Sequence, residues 1–464
     1  MDKVILALLH LLKIKLNFNG YAYISSMKIT IRKVVLLLLA VTLFFGISYG
    51  LKYAYIGSSY AAKIACSCHF LSGRELADIK ENDLYAVPFV DLEIDEAGNA
   101  VTSSIYGLAK TTAVYRDGFG CSLLNEISAD SLKKQAFPYQ RNPLTHVFPA
   151  VPVSAVFDSI KLEAIMQDIF TDDSANTLQS RAVIILKDGN LVYEKYGTGY
   201  DKGSRLIGWS MTKSITNAMI GMLVKDGKLS LDKKNLLDEW QEDERKNIAL
   251  TDLLHMSSGL DFEEDYASPS DATNMLFRSY AAGDYAIKSK LKHKPGEVFY
   301  YSSGTSNILQ EIIRRNFATK EDYQRFPYER LFDKIGMSSA VMEPDPSGTY
   351  IGSSFMYATA QDWARFGQLY LQDGTWSGER ILPEGWAKYS GTETPNSNGR
   401  YAAHFWVDHN DKEFPSDAFL ADGFEGQHVN IIPSQNMVIV RLGCTHGQQF
   451  NNTNFVKEIL KAKK

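Results

Sequence analysis

The chain has 464 residues, 45% of them hydrophobic, and a formal net charge of -5. That is enough apolar material for a large core, arranged as one big domain or two moderate ones. Neither a basic patch nor a polyanionic tail stands out, so nothing in the charge pattern recruits nucleic acid as a partner.

The first element is an uncharged apolar run, Val34 to Leu51, at about 18 residues just long enough to span a bilayer. Lys28, Arg32 and Lys33 precede it. Positive charge stays on the cytoplasmic side, so the bulk of the chain is expected to be exported, to the periplasm or the cell surface. Met27 begins a conventional leader, which makes residues 1–26 an upstream extension and residues 27–51 a signal anchor or a signal peptide. No small-x-small site follows the run cleanly, which favours a membrane anchor over a cleaved signal.

Residues 52–150 form a lead segment that alternates apolar and polar residues without an active-site pattern. Pro143, Pro149 and Pro152 mark a linker into the main domain, residues 151–464. The cysteines are Cys66, Cys68, Cys121 and Cys444. In an oxidising compartment Cys121 can pair with Cys66 or with Cys68; the alternative is four buried thiols. They form no C-x-x-C pair and meet no histidine cluster, so neither a zinc site nor another metal or cofactor is expected.

Within the main domain, Arg181 to Lys195 reads as two strands around an Asp-Gly turn. A helix is expected from Ser210 to Asp226, closed by Gly227, with further helices over Asn307 to Asn316 and Gln361 to Gln372. Strands are expected at Phe405 to Asp408, His428 to Ile432 and Met437 to Leu442, then a last helix. Strands at both ends with helices between them predict an α+β domain, an antiparallel sheet flanked by helices.

The chemistry starts at Ser210-Met211-Thr212-Lys213. S-x-x-K alone means little, since it also begins at Ser25, Ser131, Ser230 and Ser289. What separates Ser210 is that it opens an apolar helix. There Lys213, three residues on, shares its face, and the helix start offers free N–H groups to a developing anion. Tyr301, in the run Tyr300-Tyr301-Ser302-Ser303-Gly304, supplies a phenol that can relay protons. The glycines of Asp422-Gly423-Phe424-Glu425-Gly426, entering a strand, allow backbone N–H groups close to a substrate oxygen.

These pieces, in this order and with Leu250 to Phe262 between them, resemble the serine β-lactamase, penicillin-binding-protein and esterase superfamily. The likeness is greatest to its 6-aminohexanoate-dimer-hydrolase-like branch and covers about residues 180–445. The resemblance implies an antiparallel β-sheet flanked by helices plus an inserted all-helical subdomain, with the site in the cleft between them. It makes Ser210 the nucleophile and Lys213 its general base. Tyr301 and Ser303 match the Tyr-x-Asn or Tyr-x-Ser motif, and Gly423 the last glycine of the Lys-Thr-Gly-like motif. The N–H groups of Ser210 and Phe424 then form the oxyanion hole, and hydrolysis runs through an acyl-enzyme. Two departures matter. Ser303 stands where β-lactamases carry asparagine, and Ala421 and Asp422 stand where a lysine or histidine would precede the glycine. With Asp422 and Glu425 nearby, an anionic substrate is disfavoured, and a linear amide or ester is expected rather than a β-lactam. The other readings are a D,D-peptidase and a silent binding protein of the same fold. His404, His428 and His446 are read as structural.

Overall fold

Asp188 and Gly189 both take positive φ, 53° and 75°, the pairing a tight hairpin needs between right-twisted strands. In the computed structural model they join β5 (Ser180–Lys187) to β6 (Asn190–Tyr196). The structure describes residues 31–172, 177–447 and 450–464. Residues 1–30, with Met27 and Lys28, lie outside them. The chain divides at Lys52/Tyr53 into two units.

The first unit, described from Ile31, holds the start of helix α1 (Ile31–Cys66). Leu38, Leu39, Leu43, Phe44, Phe45 and Ile47 are exposed on it. Among the described residues one helical stretch, Leu38–Leu71, is long and apolar enough to cross a membrane. The helix does not stop where the apolar run does at Leu51; it continues to Cys66.

In the second unit the lead segment folds as an antiparallel meander: β1 (Val90–Asp95), β2 (Ala100–Ile105), β3 (Leu108–Arg116) and β4 (Gly120–Leu123). Of the two pairings open to Cys121, the structure forms the one with Cys66; Cys68 and Cys444 are buried thiols. Two buried ion pairs tie the segment to the rest. Lys63 meets Glu343, which also accepts hydrogen bonds from the Cys121 N–H at 2.6 Å and the Ser67 hydroxyl at 2.8 Å. Arg181 donates both ends of its guanidinium to Asp83, at 3.0 and 3.1 Å.

The main sheet is antiparallel throughout. Its strand order is β7 (Phe419–Gly423), β8 (Gln427–Ile432), β9 (Met437–Gly443), β5, β6. Alternation sorts its side chains. Val183, Ile185 and Ile439 pack under α2 (Ser159–Phe170) and the C-terminal helix Asn452–Lys461. Ala182, Ile184, Val429 and Val438 face the larger core, where helix Ala360–Leu371 crosses. Gly367 lets that helix approach, since a Cβ there would stand 2.6 Å from Val438. From Trp209 to Phe332 the chain is helix and loop, with one isolated bridge between Leu260 and Leu291. This is the helical insertion between the two groups of strands. One expected strand is absent. Phe405 to Asp408 contributes only isolated bridges, Trp406 to Tyr401 and to Leu420, because His404 at φ 58° breaks the extension.

The bridge between Cys66 and Cys121 closes a loop of 55 residues. Its loss in Cys121→Ser is expected to lower the unfolding free energy by about 2–4 kcal/mol, read as an earlier urea midpoint of the full chain in detergent; an unmoved midpoint would contradict it.

Candidate active site

Helix α3 (Thr212–Lys225) is buried along nearly its whole length, so whatever enters its first turn is fixed by packing. A single 3₁₀ turn, Trp209–Met211, leads into it and carries the half-buried Ser210. Trp209 has φ 47°, a costly conformation for a bulky side chain. Its indole packs against the rings of Phe424, Phe355 and Tyr60, at 5.9, 6.2 and 6.4 Å between centroids. That packing holds the turn.

Lys213 reaches back from α3. Its Nζ donates to Ser210 Oγ, to Ser303 Oγ and to the Ser353 carbonyl oxygen, each at 3.0 Å. The residue is 2% exposed. Burial pulls its pKa down to about 8, against the charges of Glu264 and Asp422, which act the other way. The Ser353 carbonyl can only accept, so one N–H is committed there. In the neutral amine the lone pair is then free to accept from Ser210.

Tyr301 lies over the same group, its ring centroid 4.8 Å from Nζ. Burial pushes its phenol well above the ordinary tyrosine pKa; a hydrogen bond with Ser210 opposes this and Glu264 and Asp422 add to it. The phenol therefore keeps its proton at neutral pH. Its ring rests on Trp406 and Tyr401, at 5.2 and 5.6 Å, which gives the site an aromatic wall.

Ser303 opens helix α4 (Ser303–Arg315), capped by Ser302, which accepts from the Thr305 N–H. Its backbone N–H donates to Glu264 Oε2 at 2.8 Å, and its hydroxyl is 2.7 Å from the Tyr266 hydroxyl. Tyr266 in turn donates to Glu264 Oε1 at 2.7 Å. The loop of residues 263–268 thus brings an acid and a 53% exposed tyrosine to the edge of the site. Neither was legible as a site residue. Glu263-Glu264-Asp265 reads as a solvated acidic turn, and only the tertiary fold sets it on Ser303.

At the other edge, β7 runs against the 208–210 turn. A Cβ on Gly423 would stand 2.2 Å from the Gly208 carbonyl oxygen, so only glycine permits this approach. Phe424, just beyond, is 58% exposed. Asp422 sits opposite His428 in the β7–β8 register, its Oδ1 2.8 Å from Nδ1. The three histidines are engaged away from Ser210. His404 bridges the Leu254 carbonyl and Ser306, at 2.8 and 2.9 Å, and burial lowers it to about 3. His428 contacts Asp422, and His446 contacts the Asn82 carbonyl. The structure thus brings Ser210, Lys213, Tyr301 and Ser303 together, with Gly423, Asp422 and Phe424 at the rim.

The chain as a whole has relatives. The family model described as Beta-lactamase matches residues 166–454. The chain is similar to the 6-aminohexanoate-dimer hydrolase of Paenarthrobacter ureafaciens, 23% identical over 331 residues that cover 65% of this chain and 80% of that one. Among solved structures it is similar to a Bacillus anthracis protein provisionally named a 6-aminohexanoate-dimer hydrolase, at TM-score 0.56 and 22% identity, over 69% of this chain and 88% of that one. It is likewise similar to a family VIII carboxylesterase, at TM-score 0.54 and 14% identity, over 69% and 99%. At these identities the structural likenesses establish the fold.

Gly423→Ala is expected to force β7 off the 208–210 turn. The overpacking should cost about 1–3 kcal/mol of stability and slow labelling of Ser210 by a fluorophosphonate. A variant with unchanged urea midpoint and unchanged labelling would show that the contact is slack.

Proposed function

Since the chain belongs to the Beta-lactamase family, we propose that it is a serine hydrolase of linear amides or esters, working through an acyl-enzyme on Ser210. The observation that carries this reading is a buried lysine hydrogen-bonded to a half-buried serine at one helix start, with the partly buried Tyr301 ring over the same nitrogen.

Neutral Lys213 takes the Ser210 proton as Oγ attacks the carbonyl carbon. Charge develops on the carbonyl oxygen, where the N–H groups of Ser210 and Phe424 receive it. Tyr301, protonated, passes its proton to the leaving nitrogen or oxygen and recovers one from Lys213. Water then repeats the sequence on the acyl-enzyme. Ser303 and the Ser353 carbonyl hold Lys213 in line throughout.

Charge at the rim narrows the substrate. Asp422 and Glu264 both act on Lys213, and Ala421 offers no cation. A carboxylate next to the scissile bond is repelled, while a neutral or cationic group is tolerated. The aromatic wall of Tyr301 and Trp406, backed by the buried Tyr401, suits an apolar chain. The relative from Paenarthrobacter ureafaciens is named a 6-aminohexanoate-dimer hydrolase, and a solved relative a carboxylesterase, so both amides and esters stay within the proposal. We place this chemistry outside the cytoplasm, tethered by the Val34 to Leu51 run; the bridge between Cys66 and Cys121 supports an oxidising compartment.

A fluorophosphonate should label the full chain in detergent and fail on Ser210→Ala. The labelling rate should rise about tenfold per pH unit below about 8 and level off above it, because only the neutral lysine accepts the proton. Labelling that persists in Ser210→Ala would remove Ser210 from the reaction, and a flat profile would remove Lys213 as base. Fluorescent penicillin is expected not to label Ser210; stoichiometric acylation would put a D,D-peptidase in place of the amidase or esterase.

A further inference from the structure

Behind the Phe424 turn lies a second group of reactive side chains that the hydrolytic chemistry does not use. Glu425, at φ 63°, is 8% exposed. Cys444 and His446 follow the end of β9 beside it. Cys444 Sγ is 3.6 Å from Glu425 Oε2 and 3.3 Å from His446 Nε2. The Asn82 carbonyl oxygen, from the lead segment, is 3.4 Å from Sγ and 2.7 Å from Nε2. Donor atoms on a tetrahedral zinc, about 2.3 Å from it for sulfur and about 2.0 Å for nitrogen or oxygen, stand roughly 3.3–3.6 Å apart; the three Sγ separations fall in that range, while the 2.7 Å contact is a hydrogen bond that an ion between Nε2 and the carbonyl would replace.

We propose that Glu425, Cys444 and His446, with the Asn82 carbonyl, form a zinc site that clips the lead segment to the strands carrying the Phe424 turn. Three observations support it. Glu425 Oε1 is buried without a hydrogen bond of normal geometry. The Trp209 indole N–H acts on the carboxylate, yet neither group completes the bond. An orphaned buried carboxylate oxygen is costly, and a cation beside it removes the cost. Charge also balances. Arg181 and Arg74 are matched by Asp83 and Asp78, which leaves one thiolate and one carboxylate as the anionic donors to a divalent ion. Finally, Tyr85 stacks on His446 with ring centroids 3.8 Å apart, which fixes the plane of the imidazole beside Sγ. Sulfur and imidazole together favour zinc over calcium or magnesium.

Binding releases the Cys444 thiol proton to solvent. The imidazole stays neutral, its proton moving from Nε2 to Nδ1 so that Nε2 can ligate. The expectation of no metal rested on linear spacing. Cys444 and His446 are two residues apart, but Asn82 joins them from 362 residues away.

The test is a titration of the full chain in detergent, carrying Cys68→Ala so that Cys444 is the remaining free thiol, with Co²⁺ or Zn²⁺ alone. Cobalt should give a thiolate-to-metal charge-transfer band in the near ultraviolet that saturates at one equivalent and is displaced by zinc. Zinc should raise the melting temperature by several degrees. Both responses should vanish when Cys444→Ser or His446→Ala is added. Folded Cys68→Ala protein with no cobalt band would overturn the site, as would a band that survives Cys444→Ser. The titration of Cys68→Ala protein decides even if the further variants fail to fold. Fluorophosphonate labelling of the same samples reports the Ser210 chemistry separately.

Discussion

The site depends on keeping one lysine out of water. An ammonium in the interior is penalised, and Lys213 answers by giving up its proton about two and a half pH units early, near 8 rather than 10.5. Its surroundings set how far that goes. Full burial in an apolar cavity would make it neutral but leave its two N–H donors unmet; exposure would leave it charged. Two serine hydroxyls and one carbonyl satisfy it without neutralising it. Glu264 and Asp422 pull back part of the shift from the rim. Each of these partners comes from a different element: the 3₁₀ turn, the start of α4, the loop at Ser353, the 263–268 loop and β7. The antiparallel sheet and the helical insertion are what hold five separate pieces of chain within reach of one nitrogen.

Much of this was legible because it is local or nearly so. Ser210 and Lys213 share a helix face by spacing, and Asp188-Gly189 states its turn in two letters. Gly423 could be picked out because it matches the last glycine of the Lys-Thr-Gly-like motif, in a glycine-containing turn entering a strand. The features that escaped are those in which sequence neighbours say nothing about spatial ones. Glu264 and Tyr266 look like a wet loop until Ser303 is set against them. Phe405 to Asp408 has strand composition, yet the left-handed His404 next to it turns the chain away. The choice between Cys66 and Cys68 hinges on which face of one helical end looks toward β4, a matter of two residues.

On the proposed reading, the charge at the rim can differ while Ser210 and Lys213 stay as they are. Ser210, Lys213, Tyr301 and Ser303 are mutually hydrogen-bonded or stacked, so a change at one is felt by all. Ala421 and Asp422 sit on β7, where a side chain can alter the potential at the mouth while the backbone keeps the strand in place. Asp422 stands across the strand pair from His428, its Oδ1 2.8 Å from Nδ1.

The Lys63–Glu343 pair bears on how such a chain can be cut and recombined. Glu343 is fully buried, and its partners Lys63, Ser67 and the Cys121 N–H all belong to the lead segment. A fragment starting at residue 151 would leave that carboxylate facing its cavity without a counter-ion, at a cost of about 3–5 kcal/mol. The part of the chain that carries Ser210 is therefore not a free-standing module. A gene fusion or an exchange between paralogues that moves it alone would have to bring a new cation for Glu343 or lose the acid, and this ties the history of the two segments together.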